Sequence, residues 1–296
     1  MEDKAIRYIC ALDPEFPEKL KYIPNPPSGI YVRGRLPDSK KPVVSIIGSR
    51  NSSEYGRGAA VFFAKELSRK GVQIVSGMAR GIDGIAQMSA IEAGGESFGI
   101  LGCGVDVIYP KENKKIFDSI LEKGGLISEY PPGTAPMAKL FPQRNRLISA
   151  FSDILLVIEA RKLSGTSITV RFAMEQGKDV FAVPGRITDS FSAGCNALLS
   201  DGAGVAASPD DILEALGLIE GSGTKGKAIL TDRLKELDPK LVDIIHKLDY
   251  IPSSLNELSE KCGLSLPELS PLLLSLVLKG YAAEAAPGYY IKKIRV

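Results

Sequence analysis

The sequence predicts an α/β protein: a doubly wound, mostly parallel sheet followed by a small C-terminal winged-helix-like domain. Three observations carry that expectation. Between residues 42 and about 207, short apolar runs alternate with amphipathic stretches. The runs are rich in Val, Ile and Leu and show little polar alternation, as strands buried on both faces do. Five of them end in turns that carry glycine, and a parallel α/β sheet places its ligands outside those strand ends.

In chain order, residues 1–41 read as an N-terminal segment and residues 42–218 as the doubly wound domain. The expected strands are 43–47, 73–76, 97–101, 126–128, 154–158 and 180–183. A helix is expected over residues 55–70, where Ala59, Phe62, Phe63 and Leu67 recur at helical spacing. Residues 219–230 read as a flexible linker, because Gly221-Ser222-Gly223-Thr224-Lys225-Gly226-Lys227 is rich in Gly and Ser. Residues 231–296 form the last domain, with helical patterns over 239–248, 254–262 and 267–279. Leu255 to Leu264 resembles the first helix and turn of a helix-turn-helix. Strands at 281–283 and 289–292, joined around Pro287-Gly288, supply the wing.

Composition bounds the function. The 296 residues are 44% hydrophobic and 24% charged, which is ordinary for a globular chain. The formal charge is only +2, so any nucleic-acid binding has to come from a local cluster of cations. No signal peptide or membrane span is visible, and the cytoplasm is the expected compartment. Cys10, Cys103, Cys195 and Cys262 lie far apart, and His246 is the sole histidine. That inventory gives no metal set, no Cys/His dyad and no candidate catalytic residue.

The first turn, Gly48-Ser49-Arg50, leads from a strand towards a helix. Free backbone N–H groups near a helix start bind anions, and Arg adds a two-pronged phosphate donor. A tight turn with a surface arginine fits equally well. The segment has neither Gly-x-Gly-x-x-Gly nor the Walker Gly-Lys-Ser/Thr, and the next strand ends in Ser76-Gly77 without a ribose-binding carboxylate. No dinucleotide, nucleoside triphosphate or other cofactor is therefore expected.

The strongest local feature is Lys139-Leu140-Phe141-Pro142-Gln143-Arg144-Asn145-Arg146. It holds three cations, and no acidic residue occurs from Ala135 to Ser152. Cations that track phosphates, with a ring that stacks on a base, suit an unpaired strand. Asn145 adds a hydrogen-bonding group. A solvated basic loop with Phe141 tucked into the core is the competing reading. Ser164-Gly165-Thr166-Ser167 begins another helix, and its hydroxyls either cap that helix or hold a phosphate. Asp83 reads as the cap of its helix, and Cys103, between two glycines, as a small packing residue. In the last domain, the presumed reading helix carries Glu268 and a single terminal cation, Lys279. Leu266, Leu269, Leu272, Leu273, Leu274 and Leu276 give it an apolar surface, which suits packing or a protein partner better than a major groove.

Taken together, these motifs resemble the DNA-processing protein A (Smf) family over essentially the whole chain. The matching stretches are Gly48-Ser49-Arg50 with Ser53 and Gly56, Ser76 through Asp83, Gly102 through Asp106 with Tyr109-Pro110, and Ser128 through Gly133. They continue through Phe141 to Arg146, Ser164-Gly165-Thr166, Val183-Pro184-Gly185, Gly194, Asn196 and Gly202-Ala203. Asp13-Pro14-Glu15-Phe16-Pro17 with Leu20 fits the segment that precedes this domain in the family. Gln87 and Cys195 stand where many members have His and Thr, and the preceding helical domain of many members is largely missing. The resemblance implies a Rossmann-like domain that binds and protects single-stranded DNA without catalysis. It further implies delivery of that DNA to a RecA-type recombinase, notably during natural transformation, and a homodimer formed through the Rossmann-like domain. By similarity the DNA contacts are Gly48, Ser49, Arg50, Lys139, Phe141, Arg144, Asn145, Arg146, Ser164, Gly165 and Thr166. An alternative is a nucleotide hydrolase of the lysine-decarboxylase-like type. It fits poorly, because Leu163-Ser164-Gly165-Thr166 lacks the paired glycines of that loop and the first downstream Glu is Glu175. A duplex-DNA regulator acting through the last domain is a third reading, disfavoured by the charge of its reading helix.

Overall fold

The computed structural model describes residues 5–162, 164–219, 237–249 and 252–293. The chain divides into two compact units, Met1–Glu220 and Gly221–Val296. The expected linker at 219–230 lies, from residue 220 on, outside the described residues.

The first unit opens with β1 (Ile6–Cys10), α1 (Glu18–Lys21) and β2 (Gly29–Gly34). β1 pairs antiparallel with β2. Ile9, Phe16, Leu20, Ile30 and Val32 enter the same core as Phe98, Leu147 and Phe151. Burying Phe16 and Leu20 contributes roughly 1.5–3 kcal/mol each. The N-terminal segment is thus the edge of the main sheet. Its sequence hides this, because β1 buries only Ile9 of its five residues.

The alternating apolar runs form β3 (Val43–Gly48), β4 (Gln73–Ser76), β5 (Ser97–Ile100), β6 (Gly125–Ser128), β7 (Ile154–Glu159) and β8 (Asp179–Ala182). With β9 (Gly204–Val205) they complete a nine-stranded sheet of order β1-β2-β6-β5-β4-β3-β7-β8-β9. β6 through β9 run parallel, and β2 joins β6 antiparallel. Helix α3 (Ile82–Glu92) packs between α2 (Glu54–Arg69) and α4 (Lys114–Lys123). α5 (Leu140–Phe151) packs on α6 (Thr166–Glu175) and α1. Both α3 and α5 touch β3, β4 and β5, so these strands are covered on two faces and every residue of β4, β5, β6 and β7 is buried. The unit closes with α7 (Ala193–Ser200) and α8 (Pro209–Ala215).

Topology places the site. From β3 the chain winds outward through β4, β5 and β6, then returns to build β7 on the other side of β3. The connections after β3 and β7 diverge there, and a crevice opens at such a switch point.

The second unit contains α9 (Pro239–Lys247), β10 (Ser253–Ser254), α10 (Leu255–Cys262), α11 (Leu266–Leu278), β11 (Ala282–Ala286) and β12 (Tyr289–Lys292). Its strands form a sheet of order β10-β12-β11. Capping boxes start α10 and α11, at Ser254 with Glu257 and at Ser265 with Glu268. The leucines of α11 are not all surface, as their run suggested. Leu269, Leu273 and Leu276 form core with Ile244 and Leu258, and Leu266, Leu274 and Leu278 remain exposed. Among the described residues, no single helix is long and apolar enough to cross a membrane.

Candidate nucleic-acid interface

A cleft of about 620 Å³ lies at the switch point. It brings together Gly48, Ser49 and Arg50 at the end of β3, Phe141, Arg144 and Asn145 on α5, and Ser164, Gly165 and Thr166 at the start of α6. The first segment lies about ninety residues before the other two in the chain, and the sheet gathers them. The charged residues lining the cleft are Arg50, Arg144, Arg161 and Asp83. Asp83 is buried while Arg50 and Arg161 are exposed, so the accessible charge is cationic.

The basic run is helical rather than a loop, and that phases its side chains. Phe141, Arg144, Asn145 and Ile148 share the cleft-facing side of α5, at the spacing of one helix face. Arg146 falls on another side. Its guanidinium makes two bonds to Glu129, at 2.5 and 2.6 Å, and its Nε donates to the Asn25 carbonyl at 3.0 Å. Lys139, at the start of α5, is exposed but does not line the cleft; its neighbour Ala138 does.

Phe141 is half-buried, and its ring stacks on Tyr109 with centroids 5.3 Å apart and planes at 29°. A Cβ on Gly102 would sit 2.8 Å from the Phe141 ring. Glycine there therefore lets the ring lie against the backbone after β5. Phe141 is not among the buried apolar residues that form the core. Tyr109 is 42% exposed and adds a second ring to the cleft wall. The sequence carries no spacing signal that pairs Tyr109 with Phe141 across thirty-two positions.

Arg144 forms the floor. It is 4% exposed, and its Nη1 donates to the Gly77 carbonyl at 2.8 Å and to the Ile100 carbonyl. Burial pushes its pKa down to about 10, with Asp83 opposing that shift. Asp83 does not cap α3. It is the second residue of the helix, and its carboxylate accepts the Gly77 N–H at 3.1 Å. Burial pushes its pKa up against the charge of Arg144. The two charges compensate each other beneath the cleft, with Gly77 between them.

The hydroxyls of the α6 turn also do not cap. Gly165 is the N-cap and no side chain bonds there; the Ser167 hydroxyl donates instead to the Ser164 carbonyl at 2.7 Å. The start of α6 therefore faces the cleft without an internal side-chain acceptor, and helix starts favour anions. Cys103 is buried, and burial pushes its thiol up to about 11, so it is a poor nucleophile near neutrality. Among the described residues, no cluster of three His, Cys, Asp or Glu side chains suits a metal.

Residues 7–217 match the family described as DNA recombination-mediator protein A. Protein Smf of Escherichia coli K12 is 35% identical over 96% of this chain and 77% of its own length. The DNA processing protein DprA of Bacillus subtilis is 38% identical over 72% of each chain. Among solved structures, DprA of Streptococcus pneumoniae superposes with a TM-score of 0.67 at 38% identity, covering 72% of this chain and 75% of its own. DprA of Helicobacter pylori, whose structure concerns a single-stranded-DNA binding mode, gives 0.64 at 30% identity, covering 73% and 98%.

Proposed function

The chain belongs to the DNA recombination-mediator protein A family, and from that premise we propose that it binds single-stranded DNA in the cleft at the β3–β7 switch point. It protects that DNA and delivers it to a RecA-type recombinase, as a homodimer and without catalysing a reaction. The observation that carries this reading is the pairing of exposed cations with a half-buried stacking ring in one cleft. Phosphate-directed cations and sequence-tolerant stacking suit an unpaired strand. Arg50 contacts phosphate, Phe141 stacks on a base, and the free start of α6 receives a further phosphate. Lys139 meets the strand where it leaves the cleft. Arg144 holds the floor and lends its charge from below, whereas Arg146 braces α5 through Glu129.

The salt dependence of binding tests these roles. Each phosphate contact to a single strand contributes about 0.7 to the slope of log affinity against log salt. Arg50→Ala and Lys139→Ala are each expected to weaken binding and to reduce the slope's magnitude by about that amount. An unchanged slope in folded Arg50→Ala would remove the phosphate clamp, and one in folded Lys139→Ala would remove the contact at the cleft's exit.

The second unit is read as a winged-helix-like module for a protein partner. Its reading helix α11 exposes leucines and ends on one cation, Lys279. A chain ending near Gly221 is expected to keep most of the single-strand affinity. Loss of nearly all binding by such a folded, correctly assembled chain contradicts this assignment.

A further inference from the structure

Glu159 ends β7 and lies in register with Gly48. It is 2% exposed, and a buried carboxylate is tolerated only where its oxygens find donors. Those donors come from the start of α2. The Ser53 N–H reaches Oε2 at 3.0 Å and Oε1 at 3.2 Å, and the Ser53 hydroxyl donates to Oε2 at 2.9 Å. The same hydroxyl oxygen accepts the Gly56 N–H at 3.0 Å and so caps the helix. A Cβ on Gly56 would stand 1.9 Å from Glu159 Oε2. Ser53 and Gly56 therefore form a seat for this carboxylate. The seat lies at a helix start, where the backbone dipoles favour an anion. Neither residue lines the cleft, and the seat gives both a physical reason.

The main chain of Glu159 makes a second link. Its carbonyl accepts the Ser49 N–H at 2.8 Å. One residue thus fastens residues 49–53 at both ends, by its carbonyl at Ser49 and its carboxylate at Ser53. Between the two links lie Arg50 and Asn51, which line the cleft, and the Ser49 hydroxyl closes the turn on the Asn51 carbonyl at 2.8 Å. We propose that Glu159 is a positioning residue that brackets this turn and thereby sets where Arg50 meets a DNA phosphate. This rests on the single-strand reading of the cleft. Burial raises the Glu159 pKa against the pull of the Ser53 donors. A glutamine keeps the side chain's shape and an acceptor oxygen for those donors.

The test uses the full chain, a single-stranded oligonucleotide and a salt series, with melting curves for every variant. Arg50→Ala is expected to reduce the slope's magnitude by about 0.7. Glu159→Ala is expected to give the same reduction, and the double variant no further one. Glu159→Gln keeps the parent slope. A folded Glu159→Ala with the parent slope, or with a loss that adds to that of Arg50→Ala, overturns the proposal. If Glu159→Ala does not fold, Ser53→Ala takes its place, with a reduced slope expected and the parent slope overturning the proposal. An unchanged slope in Arg50→Ala itself sinks the phosphate clamp and the bracket together. An Arg50 effect without a Glu159 effect sinks the bracket alone.

Discussion

Phe141→Ala is expected to weaken single-strand binding by roughly 1–3 kcal/mol at every salt concentration, with the slope unchanged. That is about a 5- to 150-fold loss, and it carries the signature of a lost stacked base rather than a lost phosphate contact. The structure separates this from a core defect. Phe141 is half-buried, is not among the buried apolar core residues and rests on Tyr109 and Gly102. Truncation of a fully buried Phe costs roughly 3–5 kcal/mol of stability, and a smaller melting shift is expected here. A variant that melts far below the parent, or that binds DNA as the parent does, contradicts the stacking role.

Arg144→Met is expected to act on the fold. Removing one partner of a buried charge pair costs roughly 3–5 kcal/mol, because the other charge is left uncompensated. In a unit of this size each kcal/mol lowers the melting point by about 2–4 °C, so a fall of roughly 6–20 °C is expected. The group left behind is Asp83, buried and already pushed towards its protonated form. Adding Asp83→Asn to Arg144→Met should therefore recover part of the loss. If Arg144→Met melts with the parent, Arg144 is not the structural floor described above.

The parallel sheet was legible because strands buried on two faces leave uninterrupted apolar runs. Residues 43–47, 73–76 and 154–158 fall within β3, β4 and β7. The edge was not. β1 and β2 join the sheet antiparallel, and β1 leaves four of its five side chains on the surface, so no apolar run marks it. The candidate site was visible as a list of residues but not as a geometry. Read linearly, Lys139 to Arg146 is one basic patch. Folded as a helix, it splits: Phe141, Arg144 and Asn145 face the cleft and Arg146 turns to Glu129. Burial of Arg144 depends on Asp83 and on the Gly77 and Ile100 carbonyls, which arrive from other strand ends. The helix caps expected from Asp83 and the Ser164–Ser167 hydroxyls failed for a related reason. Asp83 is drawn to Gly77 and towards Arg144, and α6 opens on Gly165 with Ser167 turned back to Ser164.

The central claim is that an unpaired strand is the ligand of the switch-point cleft. Competition between single-stranded and duplex oligonucleotides of equal length, measured with the full chain at two salt concentrations, tests it most directly. The single strand is expected to bind more tightly at both, without strong dependence on base sequence, because stacking on Phe141 requires an unpaired base. Equal or tighter binding of the duplex would contradict the account.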